Sequence, residues 1–281
     1  MKIIKKKIYI FGYSGYIGSY LLKYLDNENY QTIGIKIPRP DTKNLYEYYC
    51  GFIIKFLAEN ENIFCIINCA GSINCQTKED FFFNSKFDVI FQNILKTKKN
   101  VIKYLSFNST KTFSNSLDNY AISKKELDKN LGNESFFYSL YIDLVFDNKS
   151  PHFKTIYDKL KNIKIKYLPI FKPGKIFFPI NLELLSKSIM EIIINDYKIK
   201  KFIIIGDKKT TFYDLITHVN SVTKINKKIL TIPSKLINLF PLFIKKILLK
   251  SKSLQQYDDY DWINNINKQK YLIRKINNKF S

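Results

Sequence analysis

The 281-residue chain reads as an α/β protein, a doubly wound parallel sheet with a smaller C-terminal lobe. Three observations predict this. Short, nearly continuous apolar runs alternate with stretches of helical period, the pattern that a parallel sheet covered on both faces requires. A turn rich in glycine joins the first run to the first helical stretch. Beyond residue 147 the alternation loses its regularity. With 46% hydrophobic residues the chain can build one large domain or two interlocked ones around a real core, which excludes disorder, collagen and a small disulfide scaffold.

Taken in order, residues 7 to 11 (KIYIF) form a strand, and 15 to 26 a helix with Ile17, Leu21, Leu22 and Leu25 at helical spacing. Residues 31 to 37 (QTIGIKI) form a second strand that ends at Pro38. A helical stretch at 50 to 60 precedes IFCIIN (63 to 68), and a longer one at 79 to 98 precedes VIKYLSF (101 to 107). Helix 118 to 131, closed by Gly132, leads to FFYSLYIDLVF (136 to 146). Further on, 150 to 161 is helical, KIFFPI (175 to 180) a short strand or turn, 181 to 195 an amphipathic helix, and KFIIIG (201 to 206) a buried strand returning to the first sheet. The last 20 residues are polar, rich in Lys and Asn, and expected to fray.

The first strand runs into Gly12-Tyr13-Ser14-Gly15-Tyr16-Ile17-Gly18 with a helix directly behind it. Such a turn lets the backbone approach a pyrophosphate, and the helix N-terminus adds free N–H groups and a positive dipole end. With nine glycines in the chain, GxxGxxG is expected by chance roughly 0.01 times. The sheet is therefore expected to be Rossmann-like, with residues 1 to 149 and the returning 180 to 206 as the dinucleotide-binding domain. Residues 150 to 179 and 207 to 281 are expected to make a smaller substrate-binding lobe.

The formal charge of +22 suggests a polyanion partner, but 44 of the 46 basic residues are lysine, with Arg39 and Arg274 the exceptions. The residue that makes bidentate phosphate and guanine contacts is almost missing. The lysines are spread along the whole chain beside abundant Ile, Asn, Tyr and Phe, the set that A/T-rich codons specify, so no nucleic acid is expected. Cys50, Cys65, Cys69 and Cys75 make no CxxC pair, and His152 and His218 complete no ligand set, so no metal is expected either. The start MKIIKKKIYIFG runs into the glycine motif rather than a cleavage site, and prolines and lysines interrupt 229 to 249 well before a membrane-spanning length. A cytoplasmic protein is expected. Contact of the basic amphipathic stretch 235 to 250 with a membrane surface is left open, as is a homodimer.

YxxxK occurs four times, at Tyr120, Tyr157, Tyr197 and Tyr271, against roughly 3 expected by chance in so lysine-rich a chain. Position selects Tyr120: it follows Ser109 by 11 residues and opens a helix after a buried strand. The four-residue step puts Lys124 on the same helical face. A phenol is a poor base at neutral pH, and a neighbouring cation is expected to lower its pKa.

From GYSGYIGS the chain resembles the extended, sugar-nucleotide-modifying branch of the short-chain dehydrogenase/reductase superfamily. IINCAG (66 to 71), Asn84, Ser109 in SFNSTKTF and Tyr120-Ala-Ile-Ser-Lys124 follow in that family's order, and the likeness covers about three quarters of the chain. It implies an NAD(P)-dependent oxidoreductase or epimerase acting on a nucleotide-activated sugar, with keto-sugar reduction slightly preferred over an epimerase that holds NAD tightly. Tyr120 would be the acid/base, Ser109 would bond the reacting oxygen, and Lys124 would hold the nicotinamide ribose. Gly12 to Gly18, Cys69, Ala70, Gly71 and Asn84 would line the cofactor. Lys36, 24 residues after Gly12 where NAD-preferring members carry an acid, and Arg39 favour the 2′-phosphate of NADP. Glu47 is a weaker candidate for the adenine contact, because the third strand is poorly marked. Three departures stand out: Thr110 and Lys111 replace the Asp-Glu pair of dehydratases, the Ser109–Tyr120 gap is short, and Tyr141-Ile142 replaces Arg-Pro. A non-catalytic dinucleotide-binding scaffold is the competing reading.

Overall fold

The computed structural model describes residues 5–40, 42–97, 101–172, 176–233 and 272–276. In chain order its elements are β1 (Lys7–Phe11), α1 (Tyr16–Asn27), β2 (Gln31–Ile35), α2 (Leu45–Glu59), β3 (Ile63–Asn68), α3 (Lys78–Ser85), α4 (Phe87–Leu95) and β4 (Val101–Ser109). A 3-10 turn (Thr110–Phe113), α5 (Asn119–Asn130), β5 (Phe137–Ile142), α6 (Pro151–Asn162), β6 (Tyr167–Lys172), β7 (Ile176–Phe177) and α7 (Leu182–Ile194) follow. β8 (Lys201–Gly206), β9 (Thr210–Thr211), α8 (Phe212–Thr223), β10 (Lys228–Pro233) and β11 (Leu272–Ile276) complete the set. Two compact units emerge: Met1–Asp143 with Leu182–Ile205 and Asn265–Lys275, and Leu144–Asn181 with Gly206–Asn264 and Ile276–Ser281.

The first unit carries a seven-stranded sheet in the order β11-β8-β5-β4-β3-β1-β2. The pairings from β2 through β8 are all parallel. Alternation along β1 sends Tyr9 and Phe11 into a core with Tyr49, Ile53 and Phe56 of α2 and with Phe87 and Phe91 of α4. Phe11 meets Phe56 and Phe91 edge-on at 5.1 and 5.2 Å between centroids, contacts worth about 0.5–1.5 kcal/mol each beyond the area they bury. Ile8 and Ile10, fully buried, point to the opposite side of the sheet. β11 draws part of the tail into this unit, whereas the sequence reading assigned 207 to 281 to the smaller lobe. The stretch 235 to 250, and the remainder of the last 20 residues, lie outside the described residues.

Three local differences from the sequence reading have physical causes. The single helix expected at 79 to 98 is two, α3 and α4, joined at Lys86 (φ −116°, ψ −31°). Just before the break, Ser85 Oγ donates to the Phe81 carbonyl at 2.7 Å, a back-bond that bends helices. The bend lets Asn84 bond the loop after β3 while Asp88 bonds β3 and β4. α2 starts at Leu45 rather than 50 because Asn44 caps it, its side chain accepting from the Glu47 N–H. The poorly marked third strand is absent among the described residues, which leaves β2 at the sheet edge.

One lysine is buried for a structural purpose. Lys103 on β4, 3% exposed, donates to the carbonyls of Ile192, Ile193 and Asn195 at 3.1, 2.8 and 2.6 Å. Ile192 and Ile193 belong to the last turn of α7, Asn195 follows it directly, and that turn has no basic residue of its own. The ammonium thus satisfies carbonyls that a helix end leaves unpaired.

In the second unit β10 pairs in parallel with β6, and β7 pairs antiparallel with β9. Phe146, Phe153, Leu160, Leu215, Ile216 and Val219 form its core. Ser150 caps α6 with Pro151 in the first turn, and Thr211 with Asp214 forms a capping box on α8.

Candidate functional site

The glycine turn lies at the carboxyl end of β1. Gly12 has φ +73°, and its carbonyl accepts the Gly15 N–H at 3.0 Å. A Cβ on Gly12 would sit 2.6 Å from the Ala70 nitrogen, and one on Gly18 would sit 2.3 Å from the Gly12 oxygen. Backbone therefore packs on backbone here, and Cys69 N–H extends the β1–β3 ladder by donating to the Phe11 carbonyl at 2.9 Å. Gly15 is the N-cap of α1, with no side-chain cap bond and no acid in the first turn. Ser14 and Gly15 are exposed while Gly18 is buried. A helix N-terminus with neither a side-chain cap nor a competing carboxylate suits a pyrophosphate, so these residues fit the dinucleotide that the sequence implies.

The Tyr13 ring lies against Gly34 of β2, where a Cβ would come within 2.5 Å of it. Lys36 and Arg39 are exposed just past β2, and Arg39 Nε is 4.0 Å from Glu79. Glu47 sits in the first turn of α2 and accepts from Asn44 Nδ2 at 2.7 Å. Asn84 is fully buried: its Nδ2 donates to the Ser72 carbonyl at 2.8 Å and its Oδ1 accepts the Ser72 N–H at 3.0 Å. It therefore staples the loop that follows Cys69-Ala70-Gly71.

Ser109, at the end of β4, caps the 3-10 turn, its Oγ accepting the Lys111 N–H at 3.3 Å. Asp118 caps α5 by accepting the Ala121 N–H at 2.7 Å, which fixes Tyr120 in the first turn. The Ser109 side chain lies close enough to Tyr120 to act on its phenol. One turn on, Lys124 Nζ donates to the Phe107 carbonyl at 2.8 Å and lies 6.0 Å from the centre of the Tyr120 ring. Lys111, paired with Asp118 at 3.0 Å, places its ammonium 5.4 Å from the same ring. The end of β4 and the first turns of α5 thus bring Ser109, Tyr120 and Lys124 together.

The electrostatics correct one expectation. Burial pushes the Tyr120 phenol up to about 12, against a lowering by the Ser109 side chain, and Lys124 is not among the groups that shift it. Burial pushes the Lys124 ammonium down to about 8, while Asp88 and Cys75 act in the opposite sense. Low-dielectric surroundings drive each group toward its neutral form, and this outweighs the attraction between the cation and a phenolate. At neutral pH Tyr120 is a proton donor.

Where the family resemblance has its departures, other bonds appear. Thr110 donates to Asp143 at 2.7 Å, and the Tyr141 hydroxyl donates to Asp128, which Lys201 also holds at 2.8 Å. No motif revealed Asp88, which accepts from Asn68, Tyr104 and Ser106. Its only sequence signal is that it is the one charged residue in FDVIFQNIL. Among the described residues no group of His, Cys, Asp and Glu is placed to hold a metal, and no helix is long and apolar enough to cross a membrane.

The parallel sheet, the glycine turn on β1 and the flanking helices define a Rossmann-like fold. No family model and no curated protein matches the sequence. Solved structures match the fold. A dTDP-4-dehydrorhamnose reductase from Clostridium acetobutylicum superposes with a TM-score of 0.66 at 16% identity, over 84% of this chain and 85% of that one. A GDP-mannoheptose C4 reductase from Campylobacter jejuni with NADP bound gives 0.60 at 16% identity, over 82% and 88%. The Bordetella bronchiseptica enzyme WbmH in complex with NAD+ gives 0.62 at 14% identity, over 82% and 86%.

Proposed function

We propose that the chain is an NAD(P)-dependent oxidoreductase of the extended short-chain dehydrogenase/reductase family that reduces a keto group on a nucleotide-activated sugar. The observation that carries this reading is the convergence of Ser109, Tyr120 and Lys124 in the unit that also bears the glycine turn. The neutral Tyr120 phenol gives its proton to the carbonyl oxygen of the keto-sugar, and the Ser109 hydroxyl donates a hydrogen bond to the same oxygen. Lys124 holds the nicotinamide ribose and keeps a positive charge beside the phenol as its proton leaves. The nicotinamide, when bound, supplies the hydride. Gly12 to Gly18 seat the pyrophosphate, with Cys69, Ala70 and Gly71 alongside, and Asn84 holds that segment in place.

Lys36 and Arg39 support NADP over NAD, since both are exposed cations at the end of β2. The NADP-bound reductase among the structural neighbours agrees with that preference, and the NAD+ complex of WbmH keeps an epimerase as the second reading. The substrate class supports a place in cytoplasmic synthesis of polysaccharide precursors. The test offers the purified protein dTDP- and GDP-linked 4-keto-sugars with NADPH or NADH and follows nicotinamide absorbance. Turnover with NADPH that Tyr120→Phe abolishes is expected. Nicotinamide that stays bound through gel filtration selects the epimerase, and absence of turnover on every sugar selects the non-catalytic scaffold.

A further inference from the structure

Asp88 is the only carboxylate in the buried class among the described residues, at 2% exposure. A bare carboxylate in such a place is costly, so it needs compensation. Its Oδ1 accepts from Asn68 Nδ2 at 2.7 Å and from the Tyr104 hydroxyl at 2.5 Å, and its Oδ2 accepts from Ser106 Oγ at 2.6 Å. Asn68 and Ser106 are register partners on β3 and β4. The next residue of β4, Phe107, gives its carbonyl to the Lys124 ammonium. The buried carboxylate and the buried ammonium are thus tied to consecutive residues of one strand.

We propose that Asp88 is a positioning residue for the Tyr120–Lys124 pair: a buried counter-ion, held by Asn68, Tyr104 and Ser106, that keeps Lys124 protonated. The inference rests on the proposed function only for what a charged Lys124 does there. Each group is among the charges acting on the other: Asp88 raises Lys124, while burial raises the Asp88 carboxyl and the bonds from Ser106, Tyr104 and Asn68, then the Lys124 charge, oppose that push. The remaining neighbours do not replace it. Facing Lys124 are Cys75 from the loop after β3 and Tyr120 on its own helix, with the Lys111 cation on the Tyr120 ring. Facing Asp88 are Tyr104 and Cys69, both pushed up toward their neutral forms by burial.

The test reads Lys124 directly. Competitive labelling with acetic anhydride across pH, followed by peptide mass spectrometry, reports the fraction of Lys124 present as free amine without using turnover. In the wild type the midpoint is expected near the depressed value of about 8. In Asp88→Asn it is expected to fall by about one pH unit or more, because the ammonium loses its counter-charge and deprotonates earlier. Tyr104→Phe and Ser106→Ala each remove one of the donors that favour the ionised carboxylate, so their midpoints should fall in the same direction but by less than in Asp88→Asn. Coincident Asp88→Asn and wild-type profiles overturn the proposal, as do equal shifts in all three variants. If Asp88→Asn does not fold, Asp88→Asn/Lys124→Met decides: removing both charges should restore folding, and a double variant no more stable than the single one overturns the pairing. A shifted midpoint in a protein that turns over no nucleotide sugar would refute the proposed function and leave the counter-ion standing.

Discussion

Glycine substitutions in the turn at residues 12 to 18 should separate what the fold requires from what a ligand requires. Alanine at Gly12 must adopt φ +73° and carry a Cβ 2.6 Å from the Ala70 nitrogen. The backbone conformation costs about 1–2 kcal/mol and the overpacking about 1–3 kcal/mol, so Gly12→Ala should lose about 2–5 kcal/mol. For a chain of this size each kcal/mol lowers Tm by about 2–4 °C. Gly18→Ala meets the Gly12 oxygen at 2.3 Å, but alanine's better helix propensity returns about 1 kcal/mol, so its loss should be smaller. Gly15 differs in kind. Its φ is −77°, and the nearest obstacle to a Cβ is the Gly12 oxygen at 3.3 Å. Gly15→Ala should therefore change stability by no more than about 0.5 kcal/mol, yet it puts a methyl group on the exposed N-cap where the pyrophosphate would lie. NADPH affinity should fall at least about tenfold, or about 1.4 kcal/mol. Thermal denaturation by circular dichroism and NADPH titration by fluorescence read the two effects independently. A Gly15→Ala protein that binds NADPH like wild type would refute the seat assigned to the pyrophosphate, and one as unstable as Gly12→Ala would refute the packing argument.

Tyr120→Phe should lower turnover by about 10²–10⁴-fold while Tm and NADPH affinity stay unchanged; a loss of fold would point to a structural tyrosine instead. Lys36→Glu should reduce the preference for NADPH over NADH by about tenfold or more, through repulsion of the 2′-phosphate; equal preference in both proteins would assign that phosphate elsewhere. Because burial holds Lys124 near 8 and Tyr120 near 12, turnover should fall as pH rises through about 8, where the ammonium is lost while the phenol keeps its proton. A rate that holds to pH 10 would show that Lys124 acts without its charge. Lys103→Met removes the donor shared by three carbonyls at the end of α7 and should cost about 2–4 kcal/mol in denaturant unfolding. Little loss would mean that water caps that helix end.

Much of the frame was legible locally. β1, β3, β4 and β8 lie within two residues of their apolar runs, because a strand covered on both faces is built mostly from apolar residues. The glycine turn stood out because glycine is scarce in this chain, and Tyr120 was separated from three other YxxxK matches by the serine-bearing strand before it. What stayed hidden depended on partners remote in sequence. The interruption at Lys86 is invisible to periodicity, since it serves Asn84 and Asp88, whose bonds lead to different segments. Lys103 looked like any other member of an abundant type until β4 carried it under the end of α7.

The chain's order of strands and helices, its turn for a dinucleotide and the identity of Ser109, Tyr120 and Lys124 are written in spacing and residue type, because backbone preference and hydrophobic period act over a few residues. The charge states of those same groups are not. They follow from the solvent that packing removes and from the charges that other elements bring near, and these pushed Tyr120 up where the YxxxK spacing alone implied a lowered phenol. Tertiary structure therefore decided that burial raises the Tyr120 phenol rather than lowering it, and it alone tied Asp88 and Lys124 to consecutive residues of β4.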